Sequence, residues 1–334
     1  MIRILIILLI SLWLLNSCQN KVYAPNTFIV TRYNSLLSDS YTDIAKVNFY
    51  KETENSIVYC EAGYQIDTKK LDFMMEGFEE NYSQMTNIYG KPTDIDNNGK
   101  IIILLVNMNE VIKGVFETGD LIYGVRNNAE ILYLDIKSFN QYPSFQDTLL
   151  HEFQHLINHN VNFIQKGYSI LWLNEILSAS AESFYTGYYG DDFIPHRYYN
   201  FYTWHLERYY GDSFYINYSS AQQFIWYLFE KNNKNPEVFK RIAHSSEREG
   251  YKRILSAVSD MGIGNTWEEV LYNFAKYILD KASSSSVQYF PSQTTVPLYP
   301  GTFIFYEESG EHKIALNPDT YIGNSPKPIY FTTP

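Results

Sequence analysis

The stretch "HEFQHLINH", residues 151–159, sets two histidines four apart, puts a glutamate directly after the first and adds a third histidine at the end. On an α-helix, side chains four apart stack on one face, so His151 and His155 can present their imidazoles to a common point. Glu152, about 100° round the helix, reaches a water at that point without being a ligand itself, which is the physical content of the HExxH pattern as a zinc site with its general base. The pattern fixes only three residues in five, and alone it leaves open an ordinary polar stripe. His159 sits one turn beyond His155 but about 12 Å along the axis from His151, at 1.5 Å per residue. It therefore reads as a helix-end histidine or a neighbour of the ligands, and not as a third ligand to the same ion.

A catalytic zinc needs three protein ligands and one open position. The arrangement with a glycine and a third histidine in the next turn fails, because Asn158 and Val161 stand at those positions. A second helix offers the alternative: Glu175, in "WLNEILSASAE", follows His155 with 19 residues between, giving HExxH-x19-E with Asn174 directly before the glutamate. A glutamate flanked by Trp172, Leu173, Ile176 and Leu177 is costly to bury unless it is paired or metal-bound. This spacing resembles that of the thermolysin-like gluzincins.

A narrower resemblance rests on four segments in order: "TDIDNNGKIIILL", "ILYLD", "HEFQHLIN" and "WLNEILSASAE". Together, over roughly residues 90–230, they resemble the hyicolysin-like neutral metalloendopeptidases, a secreted bacterial gluzincin family. The resemblance implies zinc held by His151, His155 and Glu175, with Glu152 as general base, the same four residues that the spacing selects. One departure stands out. Where thermolysin has an aspartate four residues after the ligand glutamate to orient the first histidine, this chain has Ala179. Support for His151 must come from elsewhere, since zinc-bound imidazoles donate their other N–H to an acceptor; Glu182 either fills that role or is a solvated helix charge.

Peptide hydrolysis also needs a donor for the oxyanion. "YINYSSAQQFIWYL" resembles the segment of related peptidases in which a tyrosine opens a helix, which makes Tyr218 the first candidate, ahead of His205, His244 and His196. In a chain with 31 tyrosines, a core or surface role for any one of them is the common alternative. "DIDNNG" (94–99) matches the opening of an EF-hand loop, but position 12 is Leu105 where a bidentate glutamate is required. It reads as a turn feeding a strand, with an irregular calcium site as the alternative. "NNAEILYLDI", just before the histidine helix, is expected at the sheet edge beside the cleft, where zincins add their substrate as an antiparallel strand.

Farther out, residues 1–17 carry one positive charge at Arg3 and an apolar run from Ile4 to Leu15, and read as a signal peptide. "LLNSC" (14–18) resembles a bacterial lipobox, with Asn16 as an unusual residue within it. It implies a lipidated Cys18 as the mature N-terminus; a plain secretory signal is the alternative. Residues 18–27 then form a tether. Only Cys60 remains besides, so neither a disulfide framework nor a cysteine metal site is available. Charged residues are scarce at 19 %, and a formal charge of −11 without Lys/Arg clusters argues against nucleic acid.

Strands are expected at 56–63, 101–108, "DLIYGV" (120–125) and "AEILYLDI" (129–136), and a helix at 68–90. A helix capped by Ser144 runs through the histidines, followed by helices at 168–189, 218–232, 235–246, 249–261 and 266–282. The expected fold is α+β: a zincin-like two-lobed metallopeptidase with a β-rich N-terminal lobe (28–138), a helical C-terminal lobe (139–282), and a linker and small β-appendage (283–334). The expected protein is a zinc endopeptidase acting on protein or peptide, anchored by lipid in the bacterial cell envelope and facing the periplasm or exterior. The rival is a surface lipoprotein using the same fold as a binding or structural module. An aminopeptidase would want an acidic GxMEN-type segment upstream, and the chain has none.

Overall fold

The computed structural model describes residues 26–34, 39–186, 198–200, 215–281, 287–320 and 327–334. The expected signal peptide, Cys18, His196, His205 and the "SSSS" linker lie outside the described residues. Among those described, no helix is long and apolar enough to cross a membrane.

The molecule is mixed α+β, a curled N-terminal sheet followed by packed helices. β1 (Thr27–Tyr33), β2 (Ser40–Glu52), β3 (Ser56–Glu61), β4 (Ile101–Val106), β5 (Gly114–Phe116) and β6 (Ile131–Asp135) form one sheet in the order β1-β2-β3-β4-β6-β5. The β3–β4 and β4–β6 pairs are parallel and the others antiparallel. A parallel pair needs a crossover, and between β3 and β4 it is helix α1 (Thr68–Tyr89). Asp67 caps α1 by accepting from the Lys70 N–H at 3.1 Å. The apolar run of β4 is buried on both faces, as its continuous pattern requires. Ile101, Ile103 and Leu105 join the helices, while Ile102, Leu104 and Val106 meet Phe28 and Val30 of β1 on the other side. Cys60, buried in β3, is a free thiol whose pKa burial pushes up to about 12.

Three expectations need correction here. "DLIYGV" is not a strand: a 3-10 turn (Thr118–Leu121) and further turns replace it, with Ile122, Tyr123 and Val125 exposed. The loop is held instead by buried Asp120, which accepts hydrogen bonds from Tyr133 and Asn127, each at 2.7 Å. Ser144 is not the helix cap; α2 (Ile136–Gln141) is followed by α3 (Gln146–Asn158), whose cap position is Phe145, pulled into the core. Finally, "ILYLD" is an interior strand, β6, and the edge beside the cleft is the three-residue β5.

α3 buries Leu149, Leu150, Phe153, Leu156 and Ile157. Phe153 packs against Phe78 and Tyr82 of α1, with ring centroids 5.1 and 5.2 Å apart. This apolar seam fixes the rotation of α3 and turns its histidines toward the opposite side. A π-helical turn (His159–Ile164) ends it, and α4 (Leu171–Thr186) packs back along it. Then follow β7 (Tyr198–Asn200), α5 (Tyr215–Lys231), α6 (Glu237–His244), α7 (Gly250–Val258) and α8 (Trp267–Lys281). The tail forms β8 (Thr295–Leu298), β9 (Thr302–Glu308), β10 (Glu311–Asn317) and β11 (Ile329–Thr332). Within it β9 pairs with β7 and sends Phe303 and Phe305 into the principal core.

Candidate metal centre

Three side chains from two helices meet at one point. The ligand atoms of His151, His155 and Glu175 all lie within 4.8 Å of one another. Nε2 of His151 is 3.5 Å from Glu175 Oε2, and Nε2 of His155 is 3.7 Å from Glu175 Oε1. Ligands about 2.0–2.2 Å from one tetrahedral ion stand roughly 3.5 Å apart, so this spacing suits zinc. Glu175 is only 9 % exposed, and its Oε2 makes no hydrogen bond. A carboxylate oxygen stranded in this way is costly without a cation. The donor set therefore fits a zinc ion.

The other ring nitrogens are committed elsewhere, which leaves both Nε2 atoms aimed at the same place. His151 Nδ1 lies 2.6 Å from Glu182 Oε1, and His155 Nδ1 lies 2.9 Å from the Ser178 hydroxyl. Ser178 in turn donates to Gln154. Glu175, Ser178 and Glu182 are spaced i, i+3, i+7 on α4, so one stripe faces α3 and meets its histidines in antiparallel order. Gln222 of α5 donates to Glu182 Oε2 at 2.8 Å. Glu182 thus occupies the role left vacant by Ala179, about one turn farther along the helix than the thermolysin pattern places it. Glu182→Gln is expected to weaken metal binding by about 10–100-fold while the ligands remain in place; competition against a fluorescent zinc chelator measures it, and unchanged affinity would refute the support role.

Burial and mutual charge set the protonation of these groups. Burial pushes Glu152 up to about 7, with His151 opposing and Glu175 adding to the shift. Burial pushes His155 down to about 4 against the pull of Glu175, so it is neutral at physiological pH with a lone pair to offer. For His151, burial is outweighed by Glu175 and Glu182, which hold it well above its ordinary value. Burial raises Glu175 less than the two histidines lower it, so it stays ionised. A cation entering here displaces a proton from His151.

The centre opens into a cleft of about 620 Å³ whose walls include Ile112, Val115, Phe116, Ile122 and Phe163. Tyr218 also lines it, its ring centroid 6.2 Å from that of His151. His159 is a wall residue, stacked on Phe163 at 4.8 Å and edge-on to Phe116 at 5.7 Å. His244 lies apart, in a groove with Ser83, Asn87 and Lys240.

Gly114 was invisible from spacing, and its backbone passes directly against Glu152. A Cβ at Gly114 would lie 2.7 Å from Thr148 Cγ2 and 2.9 Å from Glu152 Cγ, so β5 can approach α3 this closely only with glycine. If the centre hydrolyses peptides, Gly114→Ala is expected to displace Glu152 and lower kcat by about 10–100-fold with metal content unchanged; paired metal analysis and peptide turnover check it, and full activity would show that the strand simply yields.

No family model matches the chain. Over 187 residues it is 26 % identical to the neutral metalloprotease ShpI of Staphylococcus hyicus, an alignment covering 46 % of this chain and 40 % of that protein. The chain thus spans less than half the length of that relative. What is established is a distant, partial likeness to a neutral metalloprotease, joined to a His-His-Glu group whose geometry can hold a metal.

Proposed function

We propose that the protein is a zinc-dependent endopeptidase of the hyicolysin-like gluzincin type, tethered to the bacterial envelope by lipid on Cys18. The observation that carries this reading is the convergence of His151, His155 and Glu175 beside buried Glu152, in a cleft bordered by a sheet edge. Bound there, zinc would supply Lewis acidity, making a water acidic and polarising a peptide carbonyl.

The chain's own residues do the rest. Glu152, with its raised pKa, takes a proton from the attacking water and delivers it to the leaving amine. Tyr218, facing the same cleft, donates its hydroxyl to the oxyanion. β5 offers an open edge for an extended peptide to pair with, and the apolar walls receive its side chains. Glu182 and Ser178 hold the two imidazoles in the tautomer that leaves Nε2 available.

The reading is tested by measuring zinc content and casein proteolysis on the same preparation. About one zinc per chain, with activity lost to chelation and restored by zinc, supports it; a chain that binds no zinc sinks it, and stoichiometric zinc without turnover on broad substrates favours the binding-module rival. Metabolic labelling with palmitate should mark the wild type and not Cys18→Ala; equal labelling would remove the anchor from the proposal.

A further inference from the structure

A second group of carboxylates lies outside the cleft. Asp94 and Asp96, in the turn between α1 and β4, meet Glu130, the residue directly before β6, with their oxygens within 4.8 Å of one another. Glu130 is 1 % exposed. Its Oε1 accepts the Ile95 N–H at 2.9 Å, which holds the carboxylate against the turn, while its Oε2 is buried and forms no hydrogen bond. Thr93 Oγ1, adjacent to Asp94 in sequence, is likewise buried without a partner. The lysine of the turn does not help, because Lys100 gives its ammonium to the carbonyls of Thr53 and Glu54 and to Glu52. Among the described residues no basic side chain pairs with any of the three carboxylates.

We propose that Asp94, Asp96 and Glu130 bind a calcium ion. Three carboxylates brought this close repel one another, and a buried carboxylate oxygen with no donor is unfavourable unless a cation answers it. The donors are all hard oxygens, with no histidine or thiolate, which selects calcium or magnesium over zinc. Oxygens that share one calcium at about 2.3–2.6 Å stand no more than about 5 Å apart, as these do. Calcium also tolerates the irregular geometry of a turn to which a distant glutamate is added, whereas magnesium demands a near-ideal octahedron.

The site is not an EF-hand. Leu105, at the twelfth position of that pattern, is buried inside β4, and the third carboxylate is that of Glu130 at the start of the neighbouring strand. The ion would pin the turn that launches β4 to the start of β6, the strand that carries the cleft edge β5.

The test uses the full chain, solubilised in detergent and loaded with zinc, titrated with calcium chloride by calorimetry and followed by thermal unfolding. One calcium per chain is expected, with Kd on the order of 10⁻⁴ M, and 10 mM calcium should raise Tm by roughly 5 °C. Both responses should vanish in Glu130→Gln and in Asp94→Asn and persist in Glu175→Gln, which separates this site from the metal centre in the cleft. Asp94 is exposed, so Asp94→Asn decides the matter if Glu130→Gln fails to fold. The proposal is overturned by a wild type that shows neither heat nor a Tm shift up to 10 mM calcium. Responses that survive both substitutions, or an equal response to magnesium, overturn it as well.

Discussion

Glu152→Gln is expected to retain the metal and the fold while lowering kcat by about 10²–10⁴-fold, the usual worth of a positioned general base. The substitution keeps the shape of a side chain that is 7 % exposed and wedged beside Gly114, so the helix and its histidines have no reason to move. What it removes is the ability to accept a proton. That ability is tuned: burial lifts the carboxyl to about 7, close to the pH at which a base both remains ionised and binds a proton firmly. Metal analysis, circular dichroism and turnover on casein, run on one preparation of each protein, make the comparison. Stoichiometric metal with loss of turnover assigns the base. A glutamine variant that keeps more than about a tenth of wild-type kcat would transfer the role to another group, since a loss that small falls below the range for general bases.

His155→Ala should lose both the metal and turnover. Among the described residues three protein ligands converge at this point, and deleting one leaves a two-ligand site that competes poorly with dilute chelators. A drop in zinc affinity on the order of 10³-fold or more is expected, because the binding energy is shared among few ligands. The fold should survive, since Ser178 retains Gln154 as a partner and the apolar side of α3 is untouched. The informative comparison is with Glu182→Gln, which leaves all three ligands and weakens binding far less. If His155→Ala and Glu182→Gln lost metal to the same extent, the division into ligand and supporting residue would be wrong. If His155→Ala bound zinc as the wild type does, the His-His-Glu centre itself would be wrong.

The parts of this architecture that could be read from the sequence are those written in local periodicity. α1 and α3 show their apolar faces at helical spacing, and β4 shows its double burial as an unbroken apolar run. The meeting of Glu175 with the histidines was legible because a fixed number of residues separates two adjacent helices. Features that depend on which elements become neighbours were not legible. β5 is three residues long and carries no pattern of its own; chain order suggested β6 as the sheet edge, while pairing placed β5 outside it. "DLIYGV" has the apolar residues of a strand, but the polar contacts of Asp120 claim that segment for a loop. Gly114 matters only because α3 passes directly over it, which no window of sequence encodes. Glu182 could be named from the sequence as a candidate, but the choice between support for His151 and a solvated charge depends on α4 lying against α3.

The chain of contacts from Gln222 through Glu182 to His151 has a thermodynamic consequence. α5 carries Gln222, and one turn earlier on the same helix it carries Tyr218, which faces the cleft. On the proposed reading, a peptide that engages Tyr218 and an ion seated by His151 would act on one helix, and their binding free energies would be coupled. Coupling of this kind is reciprocal: the factor by which a bound peptide tightens or loosens the ion equals the factor by which the ion alters the peptide's affinity. On the proposed reading, the metal would be not only a reagent held in the cleft but also a gauge of whether the cleft is filled, readable as a change in its rate of removal by chelators when a non-cleavable peptide is bound.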